Sequence, residues 1–205
     1  YNNYMADSKV QLQDLFKISI LSVQLDLDIK SLETFCLKHQ ICNDGRIKSN
    51  VGGFQTGDLD LNLPQLQSLK TRILKHGSIF IKEYLKIEKD IYINNLWLNK
   101  NYYKDYNEQH VHLDCVLSGV FYVKTNPNSG DLKFFRSQSL DVWMPDRIIK
   151  NFNQHNSTLW AFRPEDNYLF LFPAWLTHSV TPNLSQEERI SISFNIAVRE
   201  GRGLW

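Results

Sequence analysis

The chain has 205 residues, a formal net charge of +1 and a sequence pI near 7.9. This length suits one domain with a sizeable core, and the near-neutral charge provides no general attraction to nucleic acid or acidic membranes. Hydrophobic residues make up 42% and aromatic residues 13% of the sequence, which excludes the disordered class.

The N-terminal part is predicted to hold one strand and two helices. Residues 15–26 (LFKISILSVQLD) are rich in β-branched and apolar residues, which favours a strand. Residues 29–39 have apolar positions at helical spacing, whereas residues 50–63 contain three glycines and are expected to form a loop. Residues 64–86 predict the longer helix, which starts on a proline and is interrupted by Gly77 at a cost of about 1 kcal/mol relative to alanine.

From residue 90 onward the apolar residues alternate with polar ones, and turn-forming Pro, Asn and Gly separate the alternating runs. Eight strands are predicted, at residues 91–99, 109–112, 117–125, 130–135, 158–163, 168–172, 178–181 and 190–199. This order predicts a mainly β fold, a double-stranded β-helix (jelly roll) with the N-terminal helices packed on one sheet. We expect residues 1–205 to form a single domain, with the N-terminal strand and helices over about 15–88 and the β-helix core over about 90–200.

The longest stretch without a predicted strand covers residues 137–156. An insertion of this length in a compact domain is often a lid or a binding loop. Several aromatic side chains are expected either to line a substrate pocket or to fill the core: Phe134, Phe135, Trp143, Trp160 and Trp175.

Three histidines form the strongest candidate site. His110 and His112 are separated by one residue, so on a strand both side chains would point to the same side. His178 follows on a distant predicted strand. Imidazole nitrogens bind Fe, Zn, Cu and Ni, so the histidines alone do not name the metal. We predict a mononuclear metal site inside the β structure with His110, His112 and His178 as its ligands.

A carboxylate ligand is the alternative to one of these histidines. Two histidines with one carboxylate would indicate non-haem Fe(II), and His112-Leu-Asp114 fits that spacing. A corner must fit before the strand at residues 117–125, so Asp114 is expected to lie outside the barrel. The set with His110 is favoured, and a set in which Asp114 replaces His110 stays open.

An anion-binding group follows the last histidine. Arg189 lies eleven residues after His178 (189 − 178) and begins an alternating segment in which Arg189 and Ser191 share a face. Arginine binds a carboxylate with two parallel hydrogen bonds, and a hydroxyl two residues away can donate another. Tyr122 is predicted either to donate its hydroxyl to the same carboxylate or to be a core aromatic, and Asn99 is a weaker candidate for facing the same pocket.

Taken together, these motifs resemble those of a known family, the 2-oxoglutarate–Fe(II) oxygenases found in marine bacteria and cyanophages. The matching segments are residues 50–55 (NVGGFQ), 96–99 (LWLN), 110–112 (HVH), 117–123 (LSGVFYV), 171–178 (LFPAWLTH) and 189–195 (RISISFN). The resemblance implies a double-stranded β-helix that uses Fe(II), 2-oxoglutarate and O2. It also implies a proline after the second histidine, where this chain has Leu113, and we expect this difference to alter only the corner.

Three functions fit these residues. The favoured one is a dioxygenase that converts 2-oxoglutarate to succinate and CO2 and hydroxylates an unidentified substrate. The second is a three-histidine cupin-type metalloenzyme that does not use 2-oxoglutarate, and the third is a non-enzymatic jelly-roll binding module. The segment from Arg189 to Ser191 favours the first over the second, which does not need an anion site. A bound-metal assay of the purified protein separates the third from the other two.

The expected surroundings follow from composition. No apolar run approaches the length of a membrane span, and the three cysteines have no regular spacing. We therefore expect a cytoplasmic protein, in the host cytoplasm if a phage encodes it. The expected partner is a prime substrate, either a small molecule or a protein side chain, with no nucleic acid and no membrane; a homodimer is left open.

Overall fold

The computed structural model describes residues 11–41, 45–136 and 146–199. Its regular elements are β1 (Leu21–Gln24), α1 (Ile29–Ile41), β2 (Asn50–Val51), β3 (Phe54–Gln55), α2 (Gln67–Ile79), β4 (Ile91–Asn101), β5 (Tyr106–His110), β6 (Leu117–Lys124), β7 (Leu132–Phe135), β8 (Leu159–Phe162), β9 (Tyr168–Pro173), β10 (His178–Val180) and β11 (Arg189–Val198). The strands form a six-stranded sheet in the order β1-β9-β6-β11-β4-β3 and a five-stranded sheet in the order β2-β5-β10-β7-β8, with antiparallel pairing. The mainly β fold predicted from the sequence is confirmed.

The two faces of the six-stranded sheet have different environments because successive side chains alternate across a strand. On one face, Ile192 and Phe194 of β11 belong to the same buried cluster as Leu69 and Ile73 of α2. The other face points toward the five-stranded sheet, and its buried cluster includes Tyr122. The helices thus cover one face, as predicted, and leave the space between the sheets for a site.

The predicted helix over residues 64–86 has three parts. A 3-10 turn at Pro64–Leu66 leads into α2, and a π-helical turn at Phe80–Tyr84 follows it. A Cβ atom at Gly77 would lie 2.7 Å from Cδ1 of Ile196. Close packing between α2 and β11 therefore explains this glycine. The sequence shows that Gly77 lowers helix propensity, but it does not show why a glycine is needed there.

Three of the predicted boundaries are wrong. The first strand is confined to Leu21–Gln24, and the exposed residues 11–18 precede it. The segment predicted as a loop contains the short strands β2 and β3. The strand predicted at residues 109–112 is instead β5, which ends at His110 because its pairing with β2 and β10 fixes its register.

The long stretch without a predicted strand lies partly outside the described residues, namely residues 137–145, which include Trp143. Its described part contains a 3-10 turn at Asp146–Ile148. Arg136 donates hydrogen bonds to the carbonyls of Gln154 and His155, at 2.7 and 3.1 Å. No helix in the described ranges is long and apolar enough to cross a membrane.

Candidate metal centre

Three structural elements bring the predicted histidines together. His110 ends β5, and His178 begins β10 directly opposite it in the strand register. His112 lies two residues beyond β5, where its backbone N–H donates to the carbonyl of Ala174 at 3.0 Å. One ring nitrogen from each histidine lies within 4.8 Å of the others, and such a cluster could hold one metal ion.

Backbone carbonyls fix the ring orientation of two of the histidines. Nδ1 of His110 lies 2.7 Å from the carbonyl oxygen of Glu108, and Nδ1 of His178 lies 2.9 Å from that of Leu176. A carbonyl oxygen only accepts, so Nδ1 must carry the proton in both rings. Nε2 then keeps its lone pair, which is the form in which histidine binds metals and the kind of support that metal-binding histidines usually have.

Burial keeps these rings neutral. It lowers the pKa of His178 to about 3 and that of His112 to about 4, and it also lowers the pKa of His110. The neighbouring histidines reinforce the effect on His112 and His178. Neutral imidazoles that converge on one point suit a divalent transition metal, and the donor set fits Fe(II).

Asp114 lies at the corner after His112 and outside the histidine cluster, as the sequence predicts. Its side chain is exposed, its φ of 59° lies in the left-handed region, and the histidine cluster of the described chain does not include it. Leu113, which replaces the proline of the resembled family, is 78% exposed. Leu113 thus lies on the surface at this corner.

Arg189 lies in the same cavity as the histidines. The cavity is lined by His110, His112, Tyr122, His178, Arg189 and Ser191, among others. Arg189 is 1% exposed, and its Nη1 donates to the carbonyls of Ser129 and Thr181, the latter at 3.2 Å. Its Nη2 is buried without a hydrogen-bond partner among the described residues. A buried guanidinium with a free donor indicates an anionic ligand, because unpaired buried donors are costly.

The hydroxyl of Tyr122 is a second buried polar group in this cavity. Tyr122 is paired across the sheet with Ser191 and is 1% exposed. Its hydroxyl also finds no hydrogen-bond partner in the part of the chain that the structure describes. Burial raises the pKa of Tyr122 to about 12, so the hydroxyl stays protonated and can donate. Tyr122 is thus a core aromatic that also lines the cavity, and its donation to a carboxylate stays a prediction.

Two further contacts were not predicted. The ring of Trp97 lies 5.7 Å from that of His112, measured between centroids, and supports the histidine that lies outside a strand. Gly130 has a φ of 92°, and a Cβ there would lie 2.8 Å from Nη1 of Arg189. This glycine lets the turn carrying Ser129 approach the arginine.

Asn99, the weaker candidate, lines the cavity and donates to the hydroxyl of Ser193 at 2.9 Å.

Comparison with protein families decides between the three functions. The family model described as "Putative 2OG-Fe(II) oxygenase" matches residues 95–195, a segment that contains the three histidines and Arg189. Residues 95–195 carry a 2OG-Fe(II) oxygenase core. The chain is therefore a non-haem iron oxygenase that uses Fe(II) and 2-oxoglutarate. No curated protein matches the chain in sequence.

Solved structures share the fold of this oxygenase core. A Pseudomonas putida prolyl-4-hydroxylase is 12% identical with a TM-score of 0.63, over 89% of this chain and 94% of that one. HygX from Streptomyces hygroscopicus, with nickel and 2-oxoglutarate bound, is 11% identical with a TM-score of 0.62, over 88% and 83% of the two chains. The epimerase SnoN from nogalamycin biosynthesis is 14% identical with a TM-score of 0.65, over 87% and 77%. At these identities the likeness concerns the fold.

Proposed function

We propose that His110, His112 and His178 are the iron ligands of this oxygenase and that Arg189, Ser191 and Tyr122 bind 2-oxoglutarate. The single observation that carries the second assignment is the buried Nη2 of Arg189, which has no hydrogen-bond partner among the described residues. A carboxylate at this position would pair it. The same carboxylate would accept from the hydroxyl of Tyr122, which is equally unpaired.

The protein side chains would orient the reactants and exclude water. Bound at the three histidines, Fe(II) would supply activation of O2 coupled to decarboxylation of 2-oxoglutarate to succinate and CO2. The backbone carbonyls at Glu108 and Leu176 hold two imidazoles in the ligating tautomer. Phe172, which lies 4.6 Å from His178 between ring centroids, shields that side of the site. Arg189 would fix the far carboxylate, so that the 2-oxo acid end reaches the histidines.

The reaction outcome proposed is hydroxylation of a small molecule or a protein side chain. Among the structures of shared fold, two are prolyl hydroxylases by name and one is an epimerase, so the fold accommodates more than one outcome. We further propose that the chain is a single domain that acts in the cytoplasm, of a phage host if a marine phage encodes it. Neither nucleic acid nor a membrane enters this proposal.

The test is turnover of 2-oxoglutarate to succinate by the purified protein with Fe(II), ascorbate and O2. Succinate should form from 2-oxoglutarate, and its formation should require iron. His178→Ala should abolish it, while His155→Ala, at an exposed histidine outside the cluster, should leave it unchanged. Equal succinate formation with and without iron would contradict the proposal.

A further inference from the structure

The floor of the cavity continues past the metal centre as a polar row. Four facing pairs follow one another along β11 and β4: Arg189 with Asn101, Ser191 with Asn99, Ser193 with Trp97, and Asn195 with Asn95. Alternate residues share a face, and a strand rises about 3.3 Å per residue, so the two ends of the row are about 20 Å apart along β11. Because Trp97 packs against His112, the metal centre lies over the middle of the row.

A second cavity opens at the far end of this row, with a volume of about 710 Å³. It shares His110, His112 and Trp97 with the first cavity. Its described lining includes neither Arg189 nor Tyr122, and contains Asn95 and Asn195 instead. A molecule in it would therefore approach the metal centre from the side opposite to 2-oxoglutarate.

The walls of this second cavity carry unsatisfied polar groups. Oδ1 of Asn95 is buried and accepts no hydrogen bond from the described residues. Nε of Arg46 is also buried and, within the described ranges, has no acceptor. Gln55 and Asn195, which are 4% and 6% exposed, add two more buried amides. Oδ1 of Asn195 already accepts from the hydroxyl of Ser118 at 2.7 Å. An apolar occupant would leave Oδ1 of Asn95 and Nε of Arg46 unpaired, whereas one with both a donor and an acceptor would satisfy them.

The charges around the second cavity balance. Arg46 donates from Nη2 to Asp58 at 2.7 Å, so its charge is neutralised within the wall. Lys48 and Glu108 complete a set of two cations and two anions among the described lining residues. Unlike the end of the row at Arg189, this end has no excess charge with which to select an ion.

Building on the proposed function, we infer that this second cavity is the prime-substrate site and that the substrate is a small uncharged molecule bearing hydroxyl or amide groups. The volume lies within the range of small-molecule sites. A third cavity, also of about 710 Å³, has an apolar wall that includes Phe152, Leu159 and Trp160. None of the three histidines belongs to its described lining, so a ligand there would not contact them.

Ligand-observed saturation-transfer NMR on the oxygen-free protein loaded with Mn(II) and 2-oxoglutarate tests this inference. The hydroxyl-bearing probes are D-glucose and myo-inositol, the amide-bearing probe is N-acetylglycinamide, and toluene and methylcyclohexane are apolar controls. At least one polar probe should bind, and the class that binds identifies the substrate chemistry. Asn95→Leu should weaken this binding at least tenfold. Asn94→Leu, at the exposed neighbour that does not line this cavity, should not change it.

Three results would overturn the assignment: binding of no polar probe, binding of apolar probes alone, or polar binding that Asn95→Leu does not weaken. Arg46→Met, which removes the second unsatisfied group, should give the same loss and provides an independent variant. Titration of 2-oxoglutarate into the same samples separates this inference from the proposed function. Asn95 is remote from Arg189, so both Asn95→Leu and wild type should bind 2-oxoglutarate equally. A wild type that binds none would count against the proposed function, while the polar probes still decide the second cavity.

Discussion

Replacing Arg189 with lysine should weaken 2-oxoglutarate binding without removing iron. The guanidinium uses Nη1 to bind the carbonyls of Ser129 and Thr181 and leaves Nη2 for a ligand. A lysine has one terminal nitrogen and cannot serve the carbonyls and a carboxylate in the same planar geometry. Loss of one charge-assisted hydrogen bond costs about 1.5–3 kcal/mol, and at about 1.4 kcal/mol per decade this corresponds to a roughly ten- to hundredfold higher Kd.

Isothermal titration of 2-oxoglutarate into the Mn(II)-loaded protein without oxygen would measure this loss. Arg163→Lys is a matched control, because Arg163 is an exposed arginine whose Nε pairs with Asp131 at 3.2 Å outside the cavity. Manganese affinity should be the same in wild type and in both variants. An unchanged Kd for 2-oxoglutarate in Arg189→Lys would refute the assignment of Arg189, and would make its unpaired Nη2 a purely structural feature.

Three other predictions concern the metal centre. His178→Ala should abolish Fe(II) binding while the far-UV circular dichroism spectrum persists, since the helix-covered core does not involve this ring; retained iron affinity would exclude His178 as a ligand. Asp114→Ala should keep iron binding and His110→Ala should lose most of it, and the opposite result in equilibrium dialysis would make Asp114 the ligand. Burial lowers the pKa of His178 from 6.5 to about 3, so the unfolded chain takes up a proton that the folded metal-free protein does not. Its contribution to stability is complete above pH 6.5 and should decline by about 1.4 kcal/mol per pH unit below that, as urea unfolding at pH 7, 6 and 5 would measure; an equal decline in His178→Gln would contradict this origin.

The sequence predicted β11 well because its two faces have distinct compositions. Isoleucines on one face and Arg189 with serines on the other identify the core side and the cavity side, and the structure has this alternation. The prediction worked because β11 is a central strand whose neighbours on both sides fix its register.

The strand that carries His110 was misplaced because its composition lacks such a signal. Residues 104–109 are mostly polar, so no alternation marks where β5 begins or ends. His112 therefore reaches the site by a route that the sequence does not predict, a hydrogen bond from its amide to the carbonyl of Ala174. The three predicted histidines do come together, although the assumption of one continuous strand was wrong.

The contacts that orient the site residues could not be predicted in the same way. Carbonyls of Ser129 and Thr181 hold Arg189, and carbonyls of Glu108 and Leu176 hold two histidine rings. Every residue has a backbone carbonyl, so residue type does not show which carbonyls accept hydrogen bonds from site residues. The exception is Gly130, whose left-handed φ and proximity to Arg189 give a physical reason for glycine at that position.

The anchoring of Arg189 has a consequence for which 2-oxo acids the enzyme accepts. Two carbonyls from different turns hold one side of its guanidinium, so with the proposed ligand roles the separation between this group and the three histidines is set by the backbone. A dicarboxylic acid one methylene shorter, such as oxaloacetate, would span only part of that separation, and one methylene longer would have to bend. The turn around Gly130, which holds the arginine but does not contact the ligand, would then determine the chain length that the enzyme accepts.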